Sequence, residues 1–299
     1  MTAPDRDDED LQRAILGALD GLLRSLQPEP LQADRFRVHS EANRFGRVFG
    51  GQMIAQAMRA AAVTVHDKPP HSLHAYFVKS GYPDEPLDIS VERVRDGRSM
   101  AARHVTVAQA GEPLLIAMVS FHDNPTGPEF AEPAPQGPNP EELPRLQDWV
   151  ESTPPELNDR ARTWISRPPP LDIRIAEPTY FFGGSRAGGP RSHWMRLPRT
   201  IEDDPVLHSV LLAYSSDYLL LDMALRSHPE PVSVESSTAF SLDHSLWLHR
   251  PVRFDQWHCH TAELVAVSGH RGLVRGAIHD IDGHLVASTA QEVLVRANS

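Results

Sequence analysis

The sequence predicts an α+β protein of two tandem domains, each a curved antiparallel sheet wrapped around a central helix. Three observations predict it. The chain has 299 residues, above the size at which one core usually keeps growing, so two domains of about 100–150 residues are expected. A stretch beginning Arg103-His-Val-Thr-Val-Ala-Gln-Ala-Gly returns as Arg275-Gly-Ala-Ile-His-Asp-Ile-Asp-Gly, with Gly111 and Gly283 in one register, 172 residues apart. Each copy reads as two alternating strands joined at a glycine turn, and each follows an aromatic strand, Ser72-Leu-His-Ala-Tyr-Phe or Ser241-Leu-Asp-His-Ser-Leu-Trp. Duplicated halves of this size pack as a pseudo-dimer, and ligand sites tend to form between them.

The elements follow in order. Leu11, Ile15, Leu16, Leu19, Leu22, Leu23 and Leu26 recur at helical spacing, giving an amphipathic helix within residues 1–34 that ends at Pro28 and Pro30. Residues 35–123 form the first domain: an extended segment, a helix opened by Gly50-Gly51 whose small residues fit a tightly wrapped sheet, then strands to Phe121-His122. Residues 124–170 are dense in proline and read as an inter-domain linker, with a short helix near Glu141 to Val150, tethered by Trp149 and Trp164. The second domain, residues 171–299, begins with strands around Ile173 to Tyr180 and Ser192 to Leu197. One helix from about Pro205 to Arg226 follows, then the repeated strands.

Composition narrows the function. A net charge of −11 argues against sequence-independent binding to nucleic acid or an anionic membrane, both of which need broad positive potential. No run of about 18 apolar residues is present, so no membrane span is expected. The acidic N-terminal stretch does not resemble a secretory signal, and the single cysteine, Cys259, fits a reducing cytoplasm. No Gly-x-Ser-x-Gly elbow occurs; Gly183-Gly184-Ser185-Arg186-Ala187 fails at its last position. P-loop and dinucleotide fingerprints are missing as well. His258 and His260 share a strand face without a clearly placed third ligand, so no metal site is expected.

Five segments carry a resemblance: Arg47-Val-Phe-Gly-Gly-Gln-Met-Ile-Ala-Gln-Ala, His71-Ser-Leu-His-Ala-Tyr-Phe, Val94-Arg-Asp-Gly-Arg-Ser-Met-Ala-Ala-Arg, Leu242-Asp-His-Ser-Leu-Trp-Leu-His-Arg-Pro and Leu285-Val-Ala-Ser-Thr-Ala-Gln-Glu. In order and content they resemble the acyl-CoA thioesterase II family, over about residues 35 to 296. The resemblance implies a double-hotdog fold that hydrolyses fatty acyl-CoA to free fatty acid and coenzyme A, with no metal or redox cofactor and assembly as a homo-oligomer. It implies a water held by Asp217 in Ala213-Tyr-Ser-Ser-Asp, by Ser241, which stands where some relatives have Thr, and by Gln291 in Ser288-Thr-Ala-Gln-Glu.

The residue types suit that chemistry. A carboxylate accepts the water's proton, while a hydroxyl and a carboxamide orient the water without competing as strong acids. An oxyanion needs preorganised donors, for which the Gly50-Gly51 backbone at a helix start is the candidate. His71 is a candidate for lining the site, and Arg47, Arg93, Arg250 and Arg271 for meeting coenzyme phosphates, the sequence not choosing among these arginines. At the 172 offset Gln291 corresponds to Val119, so one of two pseudo-equivalent sites has kept its polar groups.

Asp243-His244 are strand neighbours that face opposite ways, which gives them a structural role as hydrogen-bonding residues near the site. Two alternatives remain at this stage. One is a hotdog enoyl-CoA hydratase, weakened because Asp123-Asn124-Pro125 lacks a following His; the other is a non-catalytic acyl-CoA-binding protein on the same fold.

Overall fold

The computed structural model describes residues 6–42, 46–135, 137–150, 167–232 and 237–297. Helix α1 (Arg6–Ser25) lays Ile15, Leu19 and Leu22, with Leu26 just beyond its end, onto the body as the spacing predicts. Strands β1 (Glu29–Gln32) and β2 (Arg35–Val38) lead to helix α2 (Gly50–Ala62), nearly all of which is buried. Strands β3 (Pro70–Phe77), β4 (Leu87–Asp96), β5 (Met100–Gln109) and β6 (Glu112–His122) complete the first half. After the proline-rich stretch come β7 (Asp172–Arg174), β8 (Arg191–Arg196), helices α3 (Pro205–Ser215) and α4 (Leu220–Arg226), and β9 to β13 (Ser237–Ser241, Asp243–Leu248, His258–Ser268, Arg271–Asp280, Leu285–Ala297).

All these strands join one antiparallel sheet in the order β1-β2-β4-β5-β6-β3-β10-β13-β12-β11-β8-β7, with β9 on β13. The halves fuse edge to edge where β3 pairs β10, Ala75 opposite His244 and Leu73 opposite Leu246. Fusion removes two sheet edges that would otherwise expose unpaired backbone. Helices α2 and α3 lie against each other inside the curve, and one apolar core takes in Ile54 and Met58 from the first half with Val210 and Leu211 from the second.

Several local expectations need correction. The helix predicted over Pro205 to Arg226 is two helices. Asp204 caps α3, accepting from Val206 N and Leu207 N, but the Ser215 and Ser216 hydroxyls bond back to the carbonyls of Leu212 and Ala213, and Leu219 turns left-handed at φ 64°. Such back-bonding competes with the helical ladder. Two 3₁₀ turns, Pro140–Glu142 and Leu146–Val150, replace the short linker helix. The strand expected to reach Tyr180 ends at Arg174. Trp149 tethers this stretch by donating to the Ile175 carbonyl at 3.2 Å, whereas Trp164 lies outside the described residues.

The internal repeat keeps its 172 offset on β6 and β13 but slips by one residue on β5 and β12. Val119 stands opposite Arg103, whereas Gln291 stands opposite Val274 and not Arg275. The turns explain it. The first hairpin closes tightly through Ala110 and Gly111, both at positive φ; the second closes over a wider turn in which only Gly283 is left-handed. A one-residue slip reverses every side chain on a strand. Arg103 is therefore fully buried, bonded to Thr64, Asp96 and the Arg95 carbonyl, while Arg275 lies on the outside against Glu263.

Two glycines give opposite expectations. A Cβ on Gly51 would sit 2.3 Å from the Tyr214 carbonyl oxygen, so Gly51→Ala forces α2 and α3 apart and should cost about 1–3 kcal/mol or more. Around Gly17 in α1 nothing lies within 4 Å, so Gly17→Ala should add about 0.5–1 kcal/mol. Urea titrations of the two variants should shift the midpoint in opposite directions.

Candidate active site

The break between α3 and α4 sets the site. Leaving the helical ladder at Ser216 turns the Asp217 side chain toward the start of α2, where no Cβ intervenes; a methyl on Gly50 would lie 2.7 Å from Asp217 Oδ2. The Gly51 amide and the Gln291 side chain both act to lower its pKa. Phe49 packs edge-on to Tyr214, three residues before the acid, and to Tyr218, immediately after it, with centroids 5.3 and 4.9 Å away. Asp217 and Gln291 are both buried.

A bulge in the sheet supplies the other groups. Ser241 stands opposite Val293, but Ser245 stands opposite Ala290, so one extra residue is inserted between β9 and β10. There Leu242 N donates to the Glu292 carbonyl, while Glu292 N donates to the Asp243 side chain instead of a backbone carbonyl. Ser241 and His244 are three apart and would face opposite ways in a regular strand. The bulge brings both to the inner face beside Gln291. Asp243 and His244 diverge, as strand alternation requires.

The hydrogen bonds form a chain. Gln291 Nε2 donates to Ser241 Oγ at 2.8 Å, Gln291 Oε1 lies 2.6 Å from His244 Nδ1, and His244 Nε2 lies 2.9 Å from Ser216 Oγ. Burial lowers the His244 pKa to about 4, so the ring is neutral near pH 7. Burial acts oppositely on Asp217. Its pKa rises to about 7, against the lowering effects of Gln291 and the Gly51 amide. A base poised near the working pH suits proton abstraction.

Not every candidate converges here. Asp217, Ser241 and Gln291 do, with Gly50 and Gly51. The Gly51 amide stands at the helix start beside the Asp217 carboxylate and acts to lower its pKa. His71 lies near the opposite end of β3, 2.8 Å from Ser120 Oγ; His244 is level with Ala75, four residues and about 13 Å along the strand. Arg250 follows β10 at that same far end and pairs with Glu129. Arg93 is paired with Asp34 and Arg271 with Glu292. The contact that sequence reasoning missed is His244 to Gln291. Its signal was present in Asp243-His244, but a spacing of three from Ser241 hid the shared face.

Comparison with known proteins agrees. Residues 38–122 match the family model described as acyl-CoA thioesterase N-terminal domain, and residues 166–294 the model described as acyl-CoA thioesterase. The chain is 35% identical to acyl-coenzyme A thioesterase 8 of Rattus norvegicus over 94% of its length and 92% of the relative's. It is 31% identical to acyl-CoA thioesterase 2 of Haemophilus influenzae, covering 93% of this chain and 98% of that one. The crystal structure of acyl-CoA thioesterase II TesB2 from Mycobacterium marinum superposes with a TM-score of 0.75 at 31% identity, over 93% of this chain and 99% of that one.

Fold and site thus define a double-hotdog thioester hydrolase. The chain belongs to the acyl-CoA thioesterase family and hydrolyses acyl-CoA thioesters. Among the described residues no helix is long and apolar enough to cross a membrane.

Asp217 makes a stability prediction independent of turnover. Its folded pKa lies above the ordinary carboxylate value, so the folded state holds the proton more tightly. The resulting stabilisation is full below about pH 4 and is lost as pH rises through about 7, a loss of about 2–4 kcal/mol. Asp217→Asn should therefore melt above wild type at pH 8, with the gap closing toward pH 4, in thermal scans across that range.

Proposed function

We propose that the chain hydrolyses fatty acyl-CoA through a water bound between Asp217, Ser241 and Gln291, without an acyl-enzyme. The observation that carries this reading is the Asp217 carboxylate, buried against the start of α2 with a pKa of about 7. Asp217 accepts a proton as the water adds to the thioester carbon. The tetrahedral intermediate then expels the coenzyme thiolate, which takes the proton from Asp217. Gln291 spends its carbonyl on His244, so it acts through its N–H bonds alone, directing one to Ser241 Oγ. The Ser241 hydroxyl, having accepted that bond, keeps its own proton to donate toward the water.

The first half contributes the α2 N-terminus and the Phe77 ring, which lies 3.1 Å from where a Cβ on Gly50 would stand. Division into domains at residues 35–123 and 171–299, separated by the 124–170 linker, is part of this proposal; the bounds of the two family matches support it. A cytoplasmic setting rests on the single cysteine. Homo-oligomeric assembly rests on the family resemblance.

Release of coenzyme A thiol, followed across saturated acyl-CoAs from short to long chain, tests the reading. Asp217→Asn should cut kcat by about 1000-fold or more while acyl-CoA binding stays within a few-fold. Near-normal turnover in that variant would remove Asp217 as the base, and tight binding without turnover in wild type would make the protein an acyl-CoA binder. Since the base must be ionised, wild-type kcat/KM should rise with pH to a plateau, with its midpoint near 7.

A further inference from the structure

Gln291 has two ends of similar shape, and only one arrangement serves the site. With Nε2 toward Ser241, that hydroxyl receives an N–H at 2.8 Å and the second N–H is left for the Asp217 side of the site. With the amide reversed, its carbonyl oxygen would face a carboxylate, and the N–H groups would face an imidazole nitrogen. Gln291 is fully buried, so no solvent compensates a wrong choice. The group contacting its carbonyl is His244, 2.6 Å away through Nδ1 and itself fully buried.

We propose that His244 is the positioning residue of this site: as the neutral tautomer with its proton on Nδ1, it holds the Gln291 amide in the one orientation that gives an N–H to Ser241 and leaves the other for the water beside Asp217. The inference rests on the reading of Asp217, Ser241 and Gln291 as the water-binding groups.

Three features support it. An imidazole nitrogen facing a carbonyl oxygen at 2.6 Å must carry the proton, since two acceptors would repel. The opposite nitrogen, then bare, lies 2.9 Å from Ser216 Oγ, whose single proton can turn to it or to the Ala213 carbonyl at 2.8 Å, and the tautomer requires that it turn to His244. Ser216 is also the residue before Asp217, so the chain from amide to imidazole to hydroxyl ends on the turn that carries the acid. His244 therefore ties the sheet-borne half of the site to the helix-borne half. The inserted residue between β9 and β10, which turns both Ser241 and His244 inward, is what lets one amide bond to both.

The test uses shape. In Asn the side-chain N–H₂ sits where Nδ1 sits in His; in Gln it reaches toward the Nε2 position; Phe keeps the ring and offers neither. We expect His244→Asn to retain kcat within about 5-fold of wild type, and His244→Gln and His244→Phe to lose about 10- to 100-fold, with KM within 3-fold throughout. A residue that only fills space would make Asn and Gln fall together, in step with their melting temperatures. Equal loss in the two, the reverse order, or normal turnover in Phe overturns the proposal. If the Phe variant does not fold, the Asn and Gln pair decides alone.

A second measurement is free of turnover. The ¹⁵N spectrum of histidine-labelled wild type, with the His244 signals identified by their loss in His244→Asn, should show a protonated Nδ1 and a bare Nε2 at pH 7. A proton on Nε2 overturns the proposal. Should wild type hydrolyse no acyl-CoA, the functional reading fails while this spectrum still decides the arrangement.

Discussion

Everything at this site depends on one buried carboxylate placed where two helices meet. Burial drives the Asp217 pKa up, the Gly51 amide and Gln291 pull it down, and the balance falls near 7. A deeper burial without donors would leave a permanently protonated acid, and stronger donors would leave a feeble base. The balance requires close approach, and close approach requires Gly50 and Gly51, since a Cβ on either would strike Asp217 or the Tyr214 backbone. The first half supplies the helix end and the second half the acid, so neither half alone holds a complete site.

The two halves differ at the matching inner positions. The inner position filled by Gln291 on β13 is filled on β6 by Val119, fully buried and apolar. Opposite Val119 stands Arg103, whose guanidinium ties β5 to the end of α2 through Thr64. A fixed charge of that kind is a structural use of the inner face. The one-residue slip between the hairpins is what put an arginine there in one half and Val274 in the other. Divergence of the halves is therefore a difference of register as well as of residue type.

Much of this was legible in the chain. Alternation and the glycine turns placed β5, β6, β12 and β13, and leucine spacing placed the buried face of α1, because periodic burial writes itself directly into sequence. The break at Ser216–Leu219 was not legible, since Tyr218-Leu-Leu-Leu reads as more helix and its interruption comes from hydroxyl back-bonding and packing against α2. The bulge at Leu242-Asp243 was invisible for a related reason: a single inserted residue leaves composition untouched and changes only which side chains share a face. His71 stands about 13 Å along the strand from His244, with Arg250 at that same far end, a separation that a motif does not carry. Family resemblance could name Asp217, Ser241 and Gln291, but not the hydrogen bonds that orient them.

The inner face of the second half carries more polar residues than a hydrophobic core invites: His193, His260, Thr289, His244 and Gln291. Room for them comes from Gly276, where a Cβ would lie 2.4 Å from both His260 Nε2 and Thr289 Oγ1. Burial depresses the three histidines, His260 to about 3 and His244 to about 4, so all are neutral around pH 7. That neutrality has a consequence for the base. A cationic imidazolium beside Gln291 would add attraction for the Asp217 carboxylate and lower its pKa, weakening proton abstraction. Neutral donors orient the amide and the hydroxyl by direction alone and leave the charge on Asp217 uncompensated. For the proposed role of Asp217 as the base, groups that hold geometry without adding charge are the ones that fit.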